Sequence, residues 1–581
     1  MKDILTVKGF VGEKINKLID NFILPCWDAN PFLTEQFAFR DDDITRKLMP
    51  WQGEFPGKFL TSLAYMYLLT YRKDLKELGD SLCHRLAELN DDGYMGPFSK
   101  EKRFVGLFDE GNHDHFWDGW GHGHIIYGLE KWNEATGNKE AQRLSRKICD
   151  YLYDFFIKNG VSYDECGWHC MNQGLTLAIS LVVKKYGREK DKEFLVMLSE
   201  YQKGEWAGDV LNDTLKGIPL YKTKQPRWEI LVSAEAWAEL YEATEDRKYK
   251  NALCYMFDGI MKYDIHNTGG FSTGEQAVGT PYKFGAIETC CTVEMMAFAV
   301  RYYLITKDVK AVDFLERAFY NGMLGAIHNS GRWATYDTPM KGCKRASFDS
   351  INFQSTPGAP ELNCCSVNAP KGVGLIADWA YVADDECVYI NFLGDCTVKT
   401  KLQGKTFEYE ITGGYPVNDT ITINIRGDGN VKLRIPAFGS ATVKINGCEE
   451  KTARGYLDFS VKNQAVVEIY IKDNLSVEYG HDECDGAVSV YHNCLLLAFD
   501  MKYNKYSYEK IPFIRLKDGK PICEKAAKNS FRIAYDITAA NGSILTLVDF
   551  ESAGQKGSYY NSWIPIEKTF KKTYKTGGKQ K

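Results

Sequence analysis

The sequence lacks any apolar stretch close to the ~20 residues that a membrane-spanning helix requires. It also lacks a concentration of positive charge: the net charge is −5, and the Lys and Arg residues are scattered along the chain. Nothing in it therefore favours binding to nucleic acid or to an anionic membrane. We expect neither of these as a partner.

The N-terminal segment, residues 1–8, lacks the apolar region and the small-residue cleavage pattern of a signal peptide. We therefore expect a cytoplasmic protein. In that compartment its 17 cysteines stay reduced, and their thiols are available for metal binding or catalysis.

Between Val11 and Val373 the apolar residues recur with the period of a helix. The recurring unit is a helix, a short polar turn and a second helix. The predicted pairs are 59–69 with 73–89, 123–129 with 141–156, 173–186 with 190–202, 230–243 with 247–261, and 290–306 with 309–324. Five or six such hairpins in one domain favour an (α/α) barrel, whose loops at one end form a pocket.

From about residue 379 the apolar pattern changes to alternation with a period of two, interrupted by Gly, Asn and Asp turns. This pattern is typical of antiparallel β-sandwiches. The clearest segments are 387–392, 420–425, 431–435, 465–471 and 494–499. We predict an α+β multidomain protein with a helical barrel over 1–378, a β-sandwich over 379–485 and a second β-sandwich over 486–581.

Two short stretches carry the chemistry that is easiest to interpret. In the first, Glu288 lies two residues before Cys290, and in the second Cys364 and Cys365 are adjacent. Thiolates and a carboxylate together form a good donor set for zinc. The two stretches are too far apart for a local zinc finger, so a large fold would have to bring them together.

Other candidates are less specific. Glu275 follows a glycine-rich turn and is either a catalytic carboxylate at the barrel mouth or an ordinary surface residue. Trp120, His122 and His124 lie where a helix begins, and His169 lies farther along. Two histidines two residues apart do not share a helical face, so they are a weak metal signal. Aromatic residues, 13% of the chain, suit both sugar stacking and a large core.

The Glu288-Thr289-Cys290 motif, together with Cys364-Cys365 and Asn368, resembles the signature of glycoside hydrolase family 127. That family consists of zinc-dependent β-L-arabinofuranosidases with an (α/α)6 barrel followed by β-sandwiches. The similarity runs in order over most of 51–371. Less specific matches lie at 92–96, 123–125, 274–275 and 336–340.

The resemblance implies a retaining, exo-acting glycoside hydrolase that releases a terminal furanose, β-L-arabinofuranose, from an oligosaccharide or glycoside. It implies Cys364 as the nucleophile and Glu275 as the acid/base. The implied zinc ligands are Glu288, Cys290, Cys364 and Cys365, and the implied substrate contacts are His124, His169, Trp120 and Tyr336. The sequence also allows a homodimer.

The sequence departs from the family pattern at several positions. A histidine expected near 227–230 is absent, a Pro-Pro pair after the second cysteine pair becomes Ser366-Val367, and Lys371 replaces an arginine. Cys291 is an additional thiol. These changes leave the predicted metal ligands and nucleophile in place, and they bear on the identity of the substrate.

Two alternatives stay open at this point. One is a metal-independent hydrolase or a polysaccharide lyase on a similar barrel, in which the cysteines form a structural zinc site or are ordinary buried thiols. The other is a carbohydrate-binding protein without catalysis. Loss or survival of activity in Cys364→Ala distinguishes the first alternative from the thiolate mechanism.

Overall fold

The computed structural model describes residues 3–40, 51–90, 92–104, 117–163, 169–200, 208–346, 362–451, 453–526 and 531–567. Its helices lie in the first two thirds of the chain. They are α1 Gly9–Leu18, α2 Leu24–Ala29, α3 Phe32–Ala38, α4 Phe55–Thr70, α5 Lys73–Glu88, α6 Asp118–Thr136, α7 Lys139–Tyr153, α8 His169–Asn172, α9 Leu175–Tyr186, α10 Glu189–Glu200, α11 Val210–Leu215, α12 Ile230–Thr244, α13 Arg247–Tyr263, α14 Thr289–Thr306, α15 Val309–Arg317, α16 Leu324–Ala326, α17 Cys364–Gly374 and α18 Ile376–Trp379.

Six of these helices form a closed inner ring. In order around the ring they are α4, α6, α9, α12, α14 and α17, and α17 packs back on α4. The inner helices are buried on nearly every side, as α4 and α14 illustrate, whereas outer helices such as α5 and α7 bury one stripe. This arrangement confirms the predicted (α/α)6 barrel, and all five predicted hairpins are present.

One turn is repeated between inner and outer helices. Each of five inner helices ends at a residue in the left-handed conformation: Tyr71, Gly137, Gly187, Glu245 and Lys307. After three of these turns the outer helix begins with a side-chain cap, in which the oxygen of Asn138, Asp246 or Asp308 accepts a backbone N–H.

Inner helices α4 and α6 approach unusually closely at two glycines. A Cβ at Gly57 would lie 2.3 Å from the backbone of His124, and one at Gly128 would lie 2.5 Å from the Gly57 carbonyl oxygen. Only glycine fits such contacts between backbones. This approach fixes the start of α6 against α4, and both helices contribute side chains to the site described below.

The strands are β1 Ile4–Val7, β2 Ala286–Glu288, β3 Asp337–Pro339, β4 Lys341–Gly342, β5 Tyr381–Ala383, β6 Cys387–Ile390, β7 Cys396–Leu402, β8 Lys405–Thr412, β9 Thr420–Arg426, β10 Gly429–Ile435, β11 Ser440–Ile445, β12 Cys448–Glu450, β13 Gly455–Val461, β14 Gln464–Lys472, β15 Leu475–Tyr479, β16 Ala487–His492, β17 Leu495–Asp500, β18 Leu516–Lys517, β19 Lys520–Pro521, β20 Cys523–Lys525, β21 Ala534–Thr538, β22 Ile544–Asp549, β23 Tyr560–Asn561 and β24 Ile564–Pro565.

The first β region contains two sheets, with strand orders β1-β7-β8-β9-β14-β11-β12 and β13-β10-β6-β5. Burial alternates along β7, β9 and β14, as the period-two pattern predicted. The pairing is antiparallel except that β10 runs parallel to β6, which the antiparallel prediction missed.

A nine-stranded antiparallel sheet follows. Six of its strands run in the order β15-β16-β17-β22-β21-β20, while β23 pairs with β17 and β4, and β24 pairs with β16. Two pairings cross long sequence distances. Strand β1 joins β7, and β4 joins β23. In addition, β15 pairs with β16 across the predicted boundary at residue 485. The two predicted boundaries between the three domains remain predictions.

The β regions pack directly on the barrel. The buried apolar residues form a cluster that extends from the inner helices into both β regions. The amide of Asn267 donates to the hydroxyls of Ser489 at 2.8 Å and Ser562 at 3.0 Å. Among the described residues, no helix combines the length and apolarity needed to cross a membrane.

Candidate active site

The two distant cysteine stretches meet in the structure. Glu288 ends strand β2, Cys290 lies in the first turn of α14, and Cys364 and Cys365 are the first two residues of α17. All four residues are buried, and one ligand atom from each lies within 4.8 Å of the others. The fold therefore brings together the four residues that the sequence analysis singled out as metal ligands.

Local structure fixes both halves of this cluster. Pairing of β2 with β3 sets Glu288 opposite Asp337. A capping box starts α17: the Ser366 N–H donates to Asn363 Oδ1 at 2.9 Å, and the Asn363 N–H donates to Ser366 Oγ at 2.9 Å. The three cysteines consequently lie in the first turns of two helices, where the positive ends of the helix dipoles favour thiolates.

The donor set and its spacing fit a tetrahedral zinc ion. Zn–S bonds of ~2.3 Å and Zn–O bonds of ~2.0–2.2 Å place neighbouring ligand atoms about 3.5–3.8 Å apart. Here the Sγ atoms of Cys364 and Cys365 are 3.9 Å apart. Glu288 Oε1 lies 3.8 Å from the Cys364 sulfur and 3.3 Å from the Cys365 sulfur. Three sulfur atoms and one carboxylate oxygen form a donor set that suits a zinc ion.

The electrostatics of the four groups are compatible with a bound cation. Burial and the negative charge of Cys364 raise the pKa of Glu288 well above its usual range. Burial likewise raises the pKa of Cys290 and of Cys365, whereas hydrogen bonds from these two thiols lower the pKa of Cys364. Four acidic groups so close together cannot all ionise unless a positive charge lies between them.

Cys291, the thiol without a counterpart in the family pattern, contacts the other oxygen of the same carboxylate. Its Sγ donates to Glu288 Oε2 at 3.5 Å, while Oε1 faces Cys364 and Cys365. The two oxygens therefore have different surroundings, and Glu288 presents a single oxygen to the cluster.

The four cluster residues differ in exposure. Cys290 and Cys365 are 0% exposed and Glu288 is 1% exposed, whereas Cys364 is 7% exposed. Cys364 is thus the member of the cluster with the most accessible surface.

Glu275 lies on a turn with left-handed backbone at Ser272, Gly274 and Glu275 itself, whose φ is 68°. Such a conformation is uncommon for residues other than glycine and is often found at functional sites. The carboxylate is partly exposed. Its Oε2 accepts from Arg227 Nη2 at 2.8 Å, and its Oε1 accepts from the Tyr336 hydroxyl at 3.1 Å.

Tyr336 connects Glu275 with the cysteine cluster. It is buried and directly precedes β3, the strand that pairs with the Glu288 strand. Its hydroxyl donates its single hydrogen to Glu275 Oε1 and also lies near the Cys364 sulfur, which is an alternative acceptor for the same hydrogen. The predicted acid/base and the predicted nucleophile therefore share one tyrosine neighbour.

Lys58 and Glu54, which the sequence analysis did not select, lie beside the cluster on and before α4. Lys58 Nζ is 2.9 Å from Glu54 Oε2, and both side chains are almost fully buried. Burial acts to lower the pKa of Lys58, but Glu54, Cys290 and Cys364 raise it above its usual range. The only sequence signal was an i, i+4 charged pair at the start of an apolar helix.

The predicted substrate contacts differ in their surroundings. His124 is buried against Trp120, and its Nε2 lacks a hydrogen-bond partner within the described ranges. Trp120 is 1% exposed and its indole N–H donates to Glu54. His122 is structural, since it contacts the Asp118 carbonyl and accepts the Met95 N–H. The side chain of His169 lies outside the described residues.

The segment that lacks the expected histidine supplies other side chains to this region. The indole of Trp228 lies beside Lys58, whose Nζ is 5.4 Å from the ring centroid. Arg227 pairs with both Glu229 and Glu275. Sequence reasoning recognised the missing histidine but not the arginine that contacts Glu275.

Comparison with known proteins was made at the level of family and of structure. The family model described as "Beta-L-arabinofuranosidase, GH127 catalytic domain" matches residues 27–374. No curated protein matches the chain.

Several solved structures share the fold over nearly the whole chain. A GH127 β-arabinofuranosidase superimposes with a TM-score of 0.78 at 18% identity, covering 97% of this chain and 96% of its own. A GH127 β-L-arabinofuranosidase from Geobacillus stearothermophilus T6 has a TM-score of 0.78 at 16% identity, with 98% and 100% coverage. A protein described as a glycoside hydrolase has a TM-score of 0.75 at 18% identity, with 97% coverage of both chains.

At these identities the structures establish the fold, whereas the family model spans more than half of the chain. Within that span lie Glu275 and all four residues of the Glu288, Cys290, Cys364 and Cys365 cluster. The chain therefore belongs to glycoside hydrolase family 127, the β-L-arabinofuranosidase family, and the protein is a glycoside hydrolase.

Proposed function

We propose that this glycoside hydrolase removes a terminal β-L-arabinofuranose residue from an oligosaccharide or glycoside with retention of anomeric configuration. The observation that carries the proposal is the buried cluster of three thiols and one carboxylate, with ligand atoms within 4.8 Å of one another. A partly exposed carboxylate, Glu275, lies close enough to share Tyr336 with the cluster.

Glu288, Cys290, Cys364 and Cys365 would hold one zinc ion. When bound, the metal supplies the positive charge that keeps the coordinating thiols deprotonated at neutral pH. Glu288 and Cys291 interact through the oxygen that faces away from the cluster, so Cys291 orients the carboxylate rather than completing the ligand set.

Cys364 acts as the nucleophile in the proposed reaction. Its sulfur attacks the anomeric carbon and forms a carbon–sulfur bond while the glycosidic carbon–oxygen bond breaks. Support comes from its position at the start of α17 and from its exposure, which exceeds that of Cys290, Cys365 and Glu288. The free thiol would be mostly protonated at neutral pH, and only the thiolate is an effective nucleophile.

Glu275 acts as the acid and then as the base. In the first step its carboxyl gives a proton to the departing oxygen. In the second step its carboxylate takes a proton from water, the water oxygen attacks the anomeric carbon, and the carbon–sulfur bond breaks to restore the Cys364 thiolate. Two successive inversions leave the configuration of the sugar unchanged. Tyr336 and Arg227 hold one Glu275 oxygen each.

The proposed sugar contacts come from His124, Tyr336, Trp120 and His169. His124 is the best supported, because its Nε2 is buried and lacks a hydrogen-bond partner in the part of the chain that the structure describes. Burial and Lys58 lower its pKa well below the usual range, so the ring is neutral and can accept from, or donate to, a sugar hydroxyl.

One observation favours a second candidate with paired carboxylates and a purely structural zinc site. Asp337 lies opposite Glu288 in the β2–β3 pair. Burial, together with the negative charges of Glu275 and Cys364, raises its pKa to about 6. Asp337 and Glu275 would then serve as the two carboxylates of a conventional glycosidase. Asp337→Asn would abolish activity in that case, and Cys364→Ala would leave it largely intact.

A panel of 4-nitrophenyl furanosides and pyranosides tests the proposal. We expect hydrolysis of the β-L-arabinofuranoside in preference to the others, and NMR at early times should detect the β-anomer as the first product. Metal analysis should find about one zinc ion per chain. An inverted product, or active protein without zinc, would contradict the proposed mechanism.

A further inference from the structure

Arg227 lies between two carboxylates of unequal accessibility. Its Nη2 is 2.7 Å from Glu229 Oε1 and 2.8 Å from Glu275 Oε2, and its Nε donates to Glu229 Oε2 at 3.1 Å. Glu229 therefore forms a bidentate ion pair with Arg227, which is the stronger arrangement for an arginine and a carboxylate. Glu275 receives a single bond from the same guanidinium.

The backbone fixes this geometry. The Trp228 N–H donates to the Glu275 carbonyl at 3.3 Å, and the Ala277 N–H donates to the Pro226 carbonyl at 2.9 Å. Arg227 and Gln276 form a β-bridge between these two bonds. The segment that carries Arg227 is thus tied directly to the turn that carries Glu275, which keeps the two side chains close to each other.

Glu229 is anchored inside the protein. It is 1% exposed, compared with 29% for the side chain of Glu275 and 23% for that of Arg227. Burial raises its pKa, while Arg227 opposes that rise. Glu229 is too deeply buried to touch a substrate, so it acts on the reaction through Arg227 and through the direct interaction of its own charge with Glu275.

A lone arginine would hinder the proposed role of Glu275. The residue must carry a proton in the first step and lose it in the second, yet an opposite charge within ~4–6 Å favours the ionised carboxylate. Pairing with Glu229 gives Arg227 a partner of equal and opposite charge. The guanidinium can then orient Glu275 while its charge is largely cancelled.

Other polar groups also face this carboxylate. The hydroxyl of Tyr336 donates to Glu275 Oε1. Among the described residues, acidic groups of β2, β3 and α14 also interact electrostatically with Glu275: Glu288, Asp337 and Cys291. The buried Glu229 does so as well. Arg227 is therefore the cation in direct contact with Glu275 in the described part of the chain, and Glu229 is the residue placed to balance it.

We propose that Arg227 and Glu229 form a nearly neutral positioning pair for Glu275. Arg227 fixes the direction of the carboxylate, and Glu229 prevents the arginine from holding it in the ionised form. This inference rests on the proposed function, because it assumes that Glu275 is the acid/base.

The test is the pH dependence of kcat/KM for a methyl β-L-arabinofuranoside, whose poor leaving group needs protonation. The alkaline limb reports loss of the acid's proton. Glu229→Gln leaves the charge of Arg227 unopposed, so this limb should move to lower pH by about one unit or more. Arg227→Met removes the positive charge, so the limb should move to higher pH. Arg227→Lys retains the charge, so its limb should stay close to that of the wild type while kcat/KM falls.

Arg72 provides a matched control, because it also bridges two carboxylates, Asp20 and Asp74, at 2.6 Å each, but on the surface. Arg72→Met should leave the limb unchanged. Zinc content and melting temperature establish that each variant is folded. If Glu229→Gln does not fold, Arg227→Met and Arg227→Lys test the inference by themselves. The inference then requires the limb to move to higher pH in Arg227→Met and to stay in place in Arg227→Lys.

Limb shifts in opposite directions for Glu229→Gln and Arg227→Met support the inference. A loss of activity in both variants with the limb unmoved would overturn it, because that result describes a structural role only. Glu275→Gln separates this failure from failure of the proposed function. If Glu275→Gln hydrolyses the methyl glycoside at the wild-type rate, Glu275 is not the acid, and both proposals are wrong.

Discussion

The two halves of the candidate active site are built differently. The metal-ligand half consists of Glu288, Cys290, Cys364 and Cys365, is buried, and lies at the starts of two helices. The acid/base half consists of Glu275, Arg227 and Tyr336. It is partly open to solvent and comes from three segments that are far apart in sequence.

Under the proposed mechanism, this difference reflects what each half does. Ligands for a zinc ion must stay at fixed distances, and rigid helix starts provide that precision. An acid/base has to exchange protons with the substrate and with water, so it needs access as well as orientation. Variants in the two halves should therefore fail in different ways.

The largest effect is expected for Cys364→Ala. Without the nucleophile the covalent step is lost for every substrate, and kcat should fall by on the order of 10⁴-fold or more. Cys149→Ala is a control matched for burial in an outer helix, and it should retain activity. Rates with nitrophenyl and methyl glycosides provide the measurement. Near-normal turnover by zinc-loaded Cys364→Ala would remove the functional distinction between the two halves.

Glu275→Ala should be the next most damaging change, and its effect should depend on the leaving group. For a methyl glycoside we expect a loss of ~10²–10⁴-fold, whereas a nitrophenolate needs little protonation to depart. Added azide should restore part of the second step, giving a glycosyl azide that chromatography detects. Equal losses on both substrates, with no azide product, would argue against an acid/base role.

Lys58→Met tests the charge balance beside the metal-ligand half. It leaves Glu54 buried without its partner, and breaking a buried pair in this way costs about 3–5 kcal/mol. Burial already raises the pKa of Glu54 to about 7. An acid whose pKa is higher in the folded protein than in the unfolded chain destabilises the fold once the pH rises above its unfolded-state pKa. The variant should therefore lose more stability, relative to the wild type, at pH 8 than at pH 5.

Denaturant unfolding at the two pH values, with zinc saturating, measures this difference. Lys73→Met, on outer helix α5 and paired with Glu77 at the same i, i+4 spacing but on the surface, is a suitable control and should show a small change at both pH values. If Lys58→Met lowers the free energy of unfolding by the same amount at pH 5 and pH 8, the ionisation of Glu54 is not the cause of the lost stability.

Tyr336→Phe should produce the smallest change. It removes one hydrogen bond to Glu275, at 3.1 Å, and the contact with Cys364. A bond to a charged group contributes about 1.5–3 kcal/mol, so we expect kcat/KM to fall by about 10–100-fold with zinc still bound. Loss of zinc in this variant would show that the tyrosine belongs to the metal-ligand half instead.

The metal-ligand half was predictable because its residues are chemically distinctive. Thiol pairs with a nearby carboxylate are rare, so Glu288, Cys290, Cys364 and Cys365 could be selected without a structure. The helical hairpins were predictable for a related reason, since burying the apolar faces of helices requires a regular period.

The acid/base half was predictable only in part. Charged residues are common on surfaces, and nothing in the sequence near Arg227 indicates a contact with Glu275, since Glu229 is the nearer partner along the chain. Lys58 was missed because a lysine within an apolar helix is usually exposed. The pairing of β1 with β7 was missed because local pattern carries no information on distant strand partners.

The most direct test of the central claim is mass spectrometry of enzyme quenched with acid during turnover of a 4-nitrophenyl β-L-arabinofuranoside. Glu275→Ala should be used, because its second step is slow and the intermediate accumulates. We predict that the peptide containing Cys364 gains the mass of one sugar residue on the Cys364 sulfur. A sugar attached to Asp337 or to another carboxylate would contradict the thiolate mechanism.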